Sequence, residues 1–145
     1  MAQYKTFKTM SEDKLNSPDT PQQPRILDTN SIQIPNISSL QHRKDIIQKN
    51  LLVVIDNYTD WCGPCKQCAP QFAVIASKYA RPGLCVMVKE NVEHGFGGQP
   101  VQVRGVPCFH FYMNGQFLQD DVIVGADMQN VENTIQRLLN TVSNK

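Results

Sequence analysis

The stretch from Leu51 to Arg81 constrains the fold most. Leu51-Leu52-Val53-Val54-Ile55 is a continuous apolar run with no polar alternation. Such a run fits a strand covered on both faces, as in a parallel sheet. Six residues after Asp56 comes Cys62-Gly63-Pro64-Cys65. From Cys65 onward, Cys65, Ala69, Phe72, Ile75, Ala76 and Tyr79 recur at helical spacing. Two thiols therefore sit where a buried strand turns into a helix. Pro64 suits the first helical positions, having no amide to leave unpaired. Pro70 predicts a kink inside the helix, and Arg81-Pro82-Gly83 ends it.

The rest of the chain builds around that unit. Ser31-Ile32-Gln33-Ile34 reads as a short strand ended by Pro35. Ser38 with Gln41 reads as a capping box opening a helix to about Lys49, with Leu40, Ile46 and Ile47 inward and Asn50 as its stop. Leu84 to Lys89 predicts a strand with Val86 and Val88 on one face. Residues 94 to 104 hold three glycines and a proline and predict a loop. Pro107 opens a strand through Met113, Asn114-Gly115 marks a hairpin, and the return strand ends near Val124 before Gly125. Asp127 caps a last helix with a stripe of Met128, Val131, Ile135, Leu138 and Leu139. The order is β-α-β-α-β, a loop crossover, a hairpin and a helix. It predicts an α/β fold with one mixed β-sheet flanked by helices on both faces.

Residues 1 to about 30 differ. Pro18, Pro21 and Pro24 interrupt a polar segment, expected to be a flexible N-terminal extension, with a partner-docking arm as the alternative. Residues 31–145 then form one domain, as a length of 145 suggests. A net charge of +1 gives no reason to expect nucleic acid or an anionic membrane surface as a partner. No apolar run is long enough for a membrane span, and the first thirty residues contain no signal-like apolar core. Five cysteines, three of them within seven residues, fit a reducing, cytoplasmic setting better than a disulfide framework.

At a helix N-terminus, unpaired amides and the helix dipole would favour a Cys62 thiolate. Cys62 would attack a disulfide, and Cys65, one turn inside the helix, would resolve the mixed disulfide. Asp56 has two readings of equal weight. It is a partly buried carboxylate able to take the Cys65 proton, or an exposed strand-end carboxylate. Pro107 by itself reads as an ordinary strand-opening proline. Zinc held by Cys62, Cys65 and Cys68 with Cys108 and His110 is disfavoured, because six residues carry Cys68 about half a turn away from Cys62; no metal is expected. Cys68 and Cys85 read as packing residues, His42 as a solvated helix residue and His110 as a satisfied strand histidine. His94, in the loop, has no assigned role.

Beyond this, the chain resembles the thioredoxin family. The match comprises Trp61-Cys62-Gly63-Pro64-Cys65-Lys66 with Ala69-Pro70, Asp56 six residues earlier, and Lys89-x-Asn91-Val92-Glu93. It continues with Arg104-Gly105-Val106-Pro107, Asn114-Gly115 and Val124-Gly125-Ala126. It spans about residues 31 to 142. The resemblance implies a thioredoxin-like fold and reduction of protein disulfides through Cys62 and Cys65, without a cofactor, by a chain acting as a monomer. A flavin or other reductase would be the electron donor. It further implies a cis Val106-Pro107 bond, a Val106 backbone that grips extended substrate, and a buried Asp56 linked to Lys89. Trp61, Gly63, Pro64, Val106, Pro107 and Gly125 would form the substrate rim. Several residues depart from the pattern. Asn57 and Tyr58 replace large apolar or aromatic residues, and Asn57 would be a buried amide needing partners. Cys108 replaces threonine beside the proline. There it would be a packing residue or a modulator, by an alternative disulfide, by tuning the pair or by helping to hold an iron–sulfur cluster. The 94–104 loop lacks a helix, and the hairpin near Asp120-Asp121 is longer. These departures leave two alternatives to the reductase: a thioredoxin-shaped binding module, or an isomerase or oxidant.

Overall fold

The strand that precedes the cysteine pair lies in the middle of the sheet. The computed structural model describes residues 33–143, and the expected N-terminal extension lies outside them. Within them, β1 (Leu52–Tyr58) pairs in parallel with β2 (Cys85–Asn91) and antiparallel with β3 (Cys108–Met113). Two short strands, β4 (Gln116–Phe117) and β5 (Ile123–Val124), both pair antiparallel with β3. Helices α1 (Leu40–Lys49), α2 (Gly63–Tyr79) and α3 (Met128–Ser143) complete the fold. No helix among the described residues is long and apolar enough to cross a membrane.

Alternation along the strands divides the core in two. Leu52, Val54, Met87, Phe109 and Phe111 face α2 and α3, packing with Phe72, Ile75, Val131 and Ile135. Val53, Ile55, Val88 and Tyr112 face the other way and pack with Ile37, Ile46 and Ile47. Helices thus cover both faces of the mixed sheet, as the sequence predicts. The stripe of α3 packs as expected, with Asp127 Oδ1 accepting from Asn130 N–H at 3.2 Å. Asn114 (φ 55°) and Gly115 (φ 79°) form the hairpin in the left-handed conformation that a primed turn requires.

Several boundaries differ from the sequence reading. The apolar run does not end its strand at Asp56. Asp56, Asn57 and Tyr58 continue it, because β2 pairs along their whole length and β3 reaches as far as Asn57. Gln33 to Pro35 form no strand. Instead Asn36 makes a single parallel bridge to Lys89, with Lys89 N–H donating to Pro35 O (3.0 Å) and Ile37 N–H to Lys89 O (2.8 Å). The cap of α1 is Ser39, whose Oγ accepts from His42 N–H at 2.9 Å. Ser38 bonds the His42 ring instead, and Gln41 turns forward to Asp45. His42 is therefore engaged in the first helical turn rather than merely solvated. Ala69 is exposed, and Cys68 and Ala73 take the inward positions of α2. The return of the hairpin is broken by a 3-10 turn at Gln119–Asp121, which accommodates the extra residues.

Candidate active site

The site forms where β1 hands the chain to α2. The Thr59 carbonyl accepts from Cys62 N–H at 3.3 Å, turning the backbone into the helix. Cys62 is the N-cap, and Gly63 and Pro64 are the first two helical residues. Cys62 and Cys65 are joined as a disulfide with Cα atoms 5.3 Å apart. The Cys65 amide points at Cys62 Sγ, 3.1 Å away. An amide donor at the positive end of a helix stabilises negative charge on that sulfur once the bond opens. Both cysteines are buried to a similar degree, so their difference lies in surroundings rather than exposure.

The opposing wall is the turn before β3. Val106-Pro107 is a cis peptide bond, and the Val106 carbonyl oxygen lies 3.6 Å from Cys62 Sγ. The Pro107 carbonyl accepts from Gly125 N–H at 2.7 Å, with Gly125 at φ 101°. Trp61, next to Cys62, and Val124, next to Gly125, are apolar side chains left exposed, at 70% and 62%. Trp61 Nε1 donates to Glu93 Oε2 at 2.7 Å, and Glu93 is oriented by its own N–H donating to Asn91 Oδ1 at 2.9 Å. The chain has a single tryptophan, so its emission comes from this position alone. Glu93→Ala is expected to lower the fluorescence anisotropy of Trp61 while changing stability by less than about 1 kcal/mol, because the bond is exposed. Anisotropy and a urea titration check both parts.

Asp56, in the strand that leads into the cysteine turn, is 5% exposed. This decides between its two readings in favour of the buried carboxylate. Its Oδ1 has no hydrogen-bond partner among the described residues. Burial pushes its pKa up to about 7, against the opposing pull of Lys89. Lys89 stands opposite Asp56 in register, but its ammonium sits over the Tyr58 ring, 5.5 Å from the centroid. Cys68 packs into the core beside Phe72. Burial, reinforced by the charge of Asp56, pushes its thiol up to about 11. Cys85 is likewise buried and pushed up to about 11. Cys108 is buried in register with Asn57, and the pleat places it on the face of Ile55 and His110, opposite Phe109 and Asp56. His94 is exposed and its ring packs against Phe96.

The sequence reading missed a buried polar cluster behind the site. Arg43 and Glu90, both nearly inaccessible, form a two-pronged ion pair of 2.9 and 2.7 Å. His110 is buried and its Nε2 has no hydrogen-bond partner among the described residues, so it is not the satisfied histidine expected. Its burial lowers its pKa to about 4. A signal existed for the pair. Arg43 falls on the inward stripe with Leu40, Ile46 and Ile47, and Glu90 continues the alternation of Val86 and Val88.

The Thioredoxin family model matches residues 33–137. A thioredoxin-like protein 1 of Schizosaccharomyces pombe is 38% identical over 68% of this chain, which spans 33% of that longer protein. A thioredoxin of Neurospora crassa is 30% identical, with 72% of this chain and 86% of that one covered. Among solved structures, the oxidised mitochondrial thioredoxin 3 of Saccharomyces cerevisiae is similar at a TM-score of 0.64 and 28% identity, covering 72% of this chain and 94% of that one. With these relatives and a cysteine pair joined at the start of α2, the chain is a dithiol–disulfide oxidoreductase that belongs to the thioredoxin family.

Proposed function

We propose that Cys62 attacks protein disulfides and Cys65 resolves the product, with net flow toward substrate reduction. The observation that carries this reading is the placement of Cys62 Sγ at the α2 N-cap, facing the Val106 carbonyl. In the reduced protein, the Cys62 thiolate attacks one sulfur of a substrate disulfide. The S–S bond breaks, and the leaving sulfur departs with the electron pair and takes a proton. Asp56 accepts the Cys65 proton through a bridging water. The Cys65 thiolate then attacks Cys62 Sγ, releasing the second substrate thiol and forming the Cys62–Cys65 disulfide. Two electrons pass from the pair to the substrate, and a reductase returns them. The Val106 backbone holds an extended substrate strand, within a rim of Trp61, Gly63, Pro64, Pro107 and Gly125. Lys89 tempers the charge on Asp56. The buried free thiols Cys68, Cys85 and Cys108 favour a reducing, cytoplasmic setting, and the chain acts as a monomer.

Cys65→Ser is expected to accumulate a mixed disulfide through Cys62 when reduced and mixed with a protein disulfide. Mass spectrometry of the trapped species checks this. Trapping through any other cysteine, or none at all while wild type turns over, would overturn the assignment.

A further inference from the structure

Behind the cis-proline turn, polar side chains occupy sites where a sheet face is normally apolar. Glu90, Asn57 and Cys108 form one row across three neighbouring strands, since Asn57 pairs with Glu90 on β2 and with Cys108 on β3. Asn57 is fully buried. Its Nδ2 donates to the Cys108 carbonyl at 3.1 Å. Its Oδ1 accepts from Gln99 Nε2 at 3.4 Å, and the same nitrogen lies 3.5 Å from Glu90 Oε2. Glu90 is held by Arg43, whose Nη1 donates to the Gly97 carbonyl at 2.8 Å. Arg43 and Gln99 thereby tie the glycine-rich loop to the sheet. The loop turns at Gly98 with φ 71°, a left-handed conformation that favours glycine.

The row acts on the turn because of which carbonyls it leaves free. Gly125 N–H holds the Pro107 carbonyl from one side, and Asn57 holds the Cys108 carbonyl from the other. The Val106 carbonyl is left facing Cys62 Sγ. A turn pinned on both sides presents that peptide unit in a fixed direction. Packing alone would be met by a leucine at 57, whereas a buried amide is costly unless its partners are held in place. We propose that Asn57 is a positioning residue for protein-substrate binding, held by Gln99, which Glu90 holds in turn, so that the glycine-rich loop and the cis-proline turn form one rigid support for the Val106 backbone. This rests on the reading that Val106 grips extended substrate.

The test compares insulin, which must lie along the turn, with 2-hydroxyethyl disulfide, which is too small to do so. Asn57→Leu removes the amide at similar volume. The ratio of kcat/KM for insulin to that for the small disulfide is expected to fall about five- to tenfold, mainly through a higher KM for insulin. Gln99→Met, at a half-buried loop position, keeps the question open should Asn57→Leu not fold, and is expected to lower the ratio in the same direction by less. Val131→Ala, in the α3 core, serves as a destabilised control and is expected to leave the ratio unchanged. An unchanged ratio in both relay variants, or an equal fall in the control, overturns the proposal. A wild type inactive on both substrates overturns the functional reading, and this inference with it.

Discussion

Glu90→Ala is expected to destabilise the protein by about 3–5 kcal/mol, a loss readable as a lower urea midpoint at unchanged slope. The size follows from what is left behind. Arg43 is 3% exposed and its guanidinium has two of its donors on Glu90. Without the carboxylate, a charged group stays buried with the Gly97 carbonyl as its remaining partner among the described residues. The pair also holds the Arg43 pKa above its ordinary value, chiefly through the bond to Glu90. The double variant Arg43→Met, Glu90→Leu separates a broken pair from a missing one. It removes both charges and fills similar volume, so it is expected to recover most of the loss. If the double variant were as unstable as Glu90→Ala, the cost would lie in packing or in the Gly97 contact rather than in the stranded charge.

That ion pair also marks the limit of what the sequence conveys. β1, α2 and the cysteine turn were legible because each carries its own local signal: a continuous apolar run, a helical period, and Cys-Gly-Pro-Cys between them. The hairpin at Asn114-Gly115 and the cap at Asp127 were legible for the same reason. The misses fall where local signals compete or where the deciding partner is remote. Two adjacent serines both suit the cap of α1, and only the fold selects Ser39. Asp56 and Asn57 look like a strand end because they are polar. They lie inside the sheet because Lys89 and Glu90 stand alongside on β2, and Phe109 and Cys108 on β3. Arg43 and Glu90 are 47 positions apart, and nothing local pairs them. Within the candidate site, the cysteines, Trp61 and Pro107 were readable as motifs. Asn57 was readable as a buried amide needing partners, but those partners, the Cys108 carbonyl and Gln99, were not, since they meet it only once the strands are aligned.

Replacing Asp56 with asparagine is expected to raise stability at pH 8 by about 4 kcal/mol and to change it little at pH 4. In the unfolded chain this carboxyl titrates near 3.8, whereas in the folded protein burial holds it near 7. Between those values the native state keeps a proton that the unfolded state has released. Stability therefore declines as pH rises through that window, and the loss is complete above about pH 7. About three pKa units at 1.36 kcal/mol each gives the stated size. His110 acts in the opposite sense. Its folded pKa is lowered from 6.5 to about 4, so the unfolded state binds the extra proton there and stability rises with pH between those values. In wild type the two slopes largely cancel. Asp56→Asn removes only the falling one, so the variant is expected to gain stability steeply from pH 4 to 6.5 and then level off. Urea titrations of both proteins across this range give the difference curve, from which the contribution of His110 drops out. A flat difference curve would show that the Asp56 carboxyl is ionised in the folded state throughout. The same substitution is expected to slow resolution of the mixed disulfide by about 10²-fold near pH 7, because it removes the proton acceptor proposed for Cys65. Single-turnover release of substrate thiol measures that step directly.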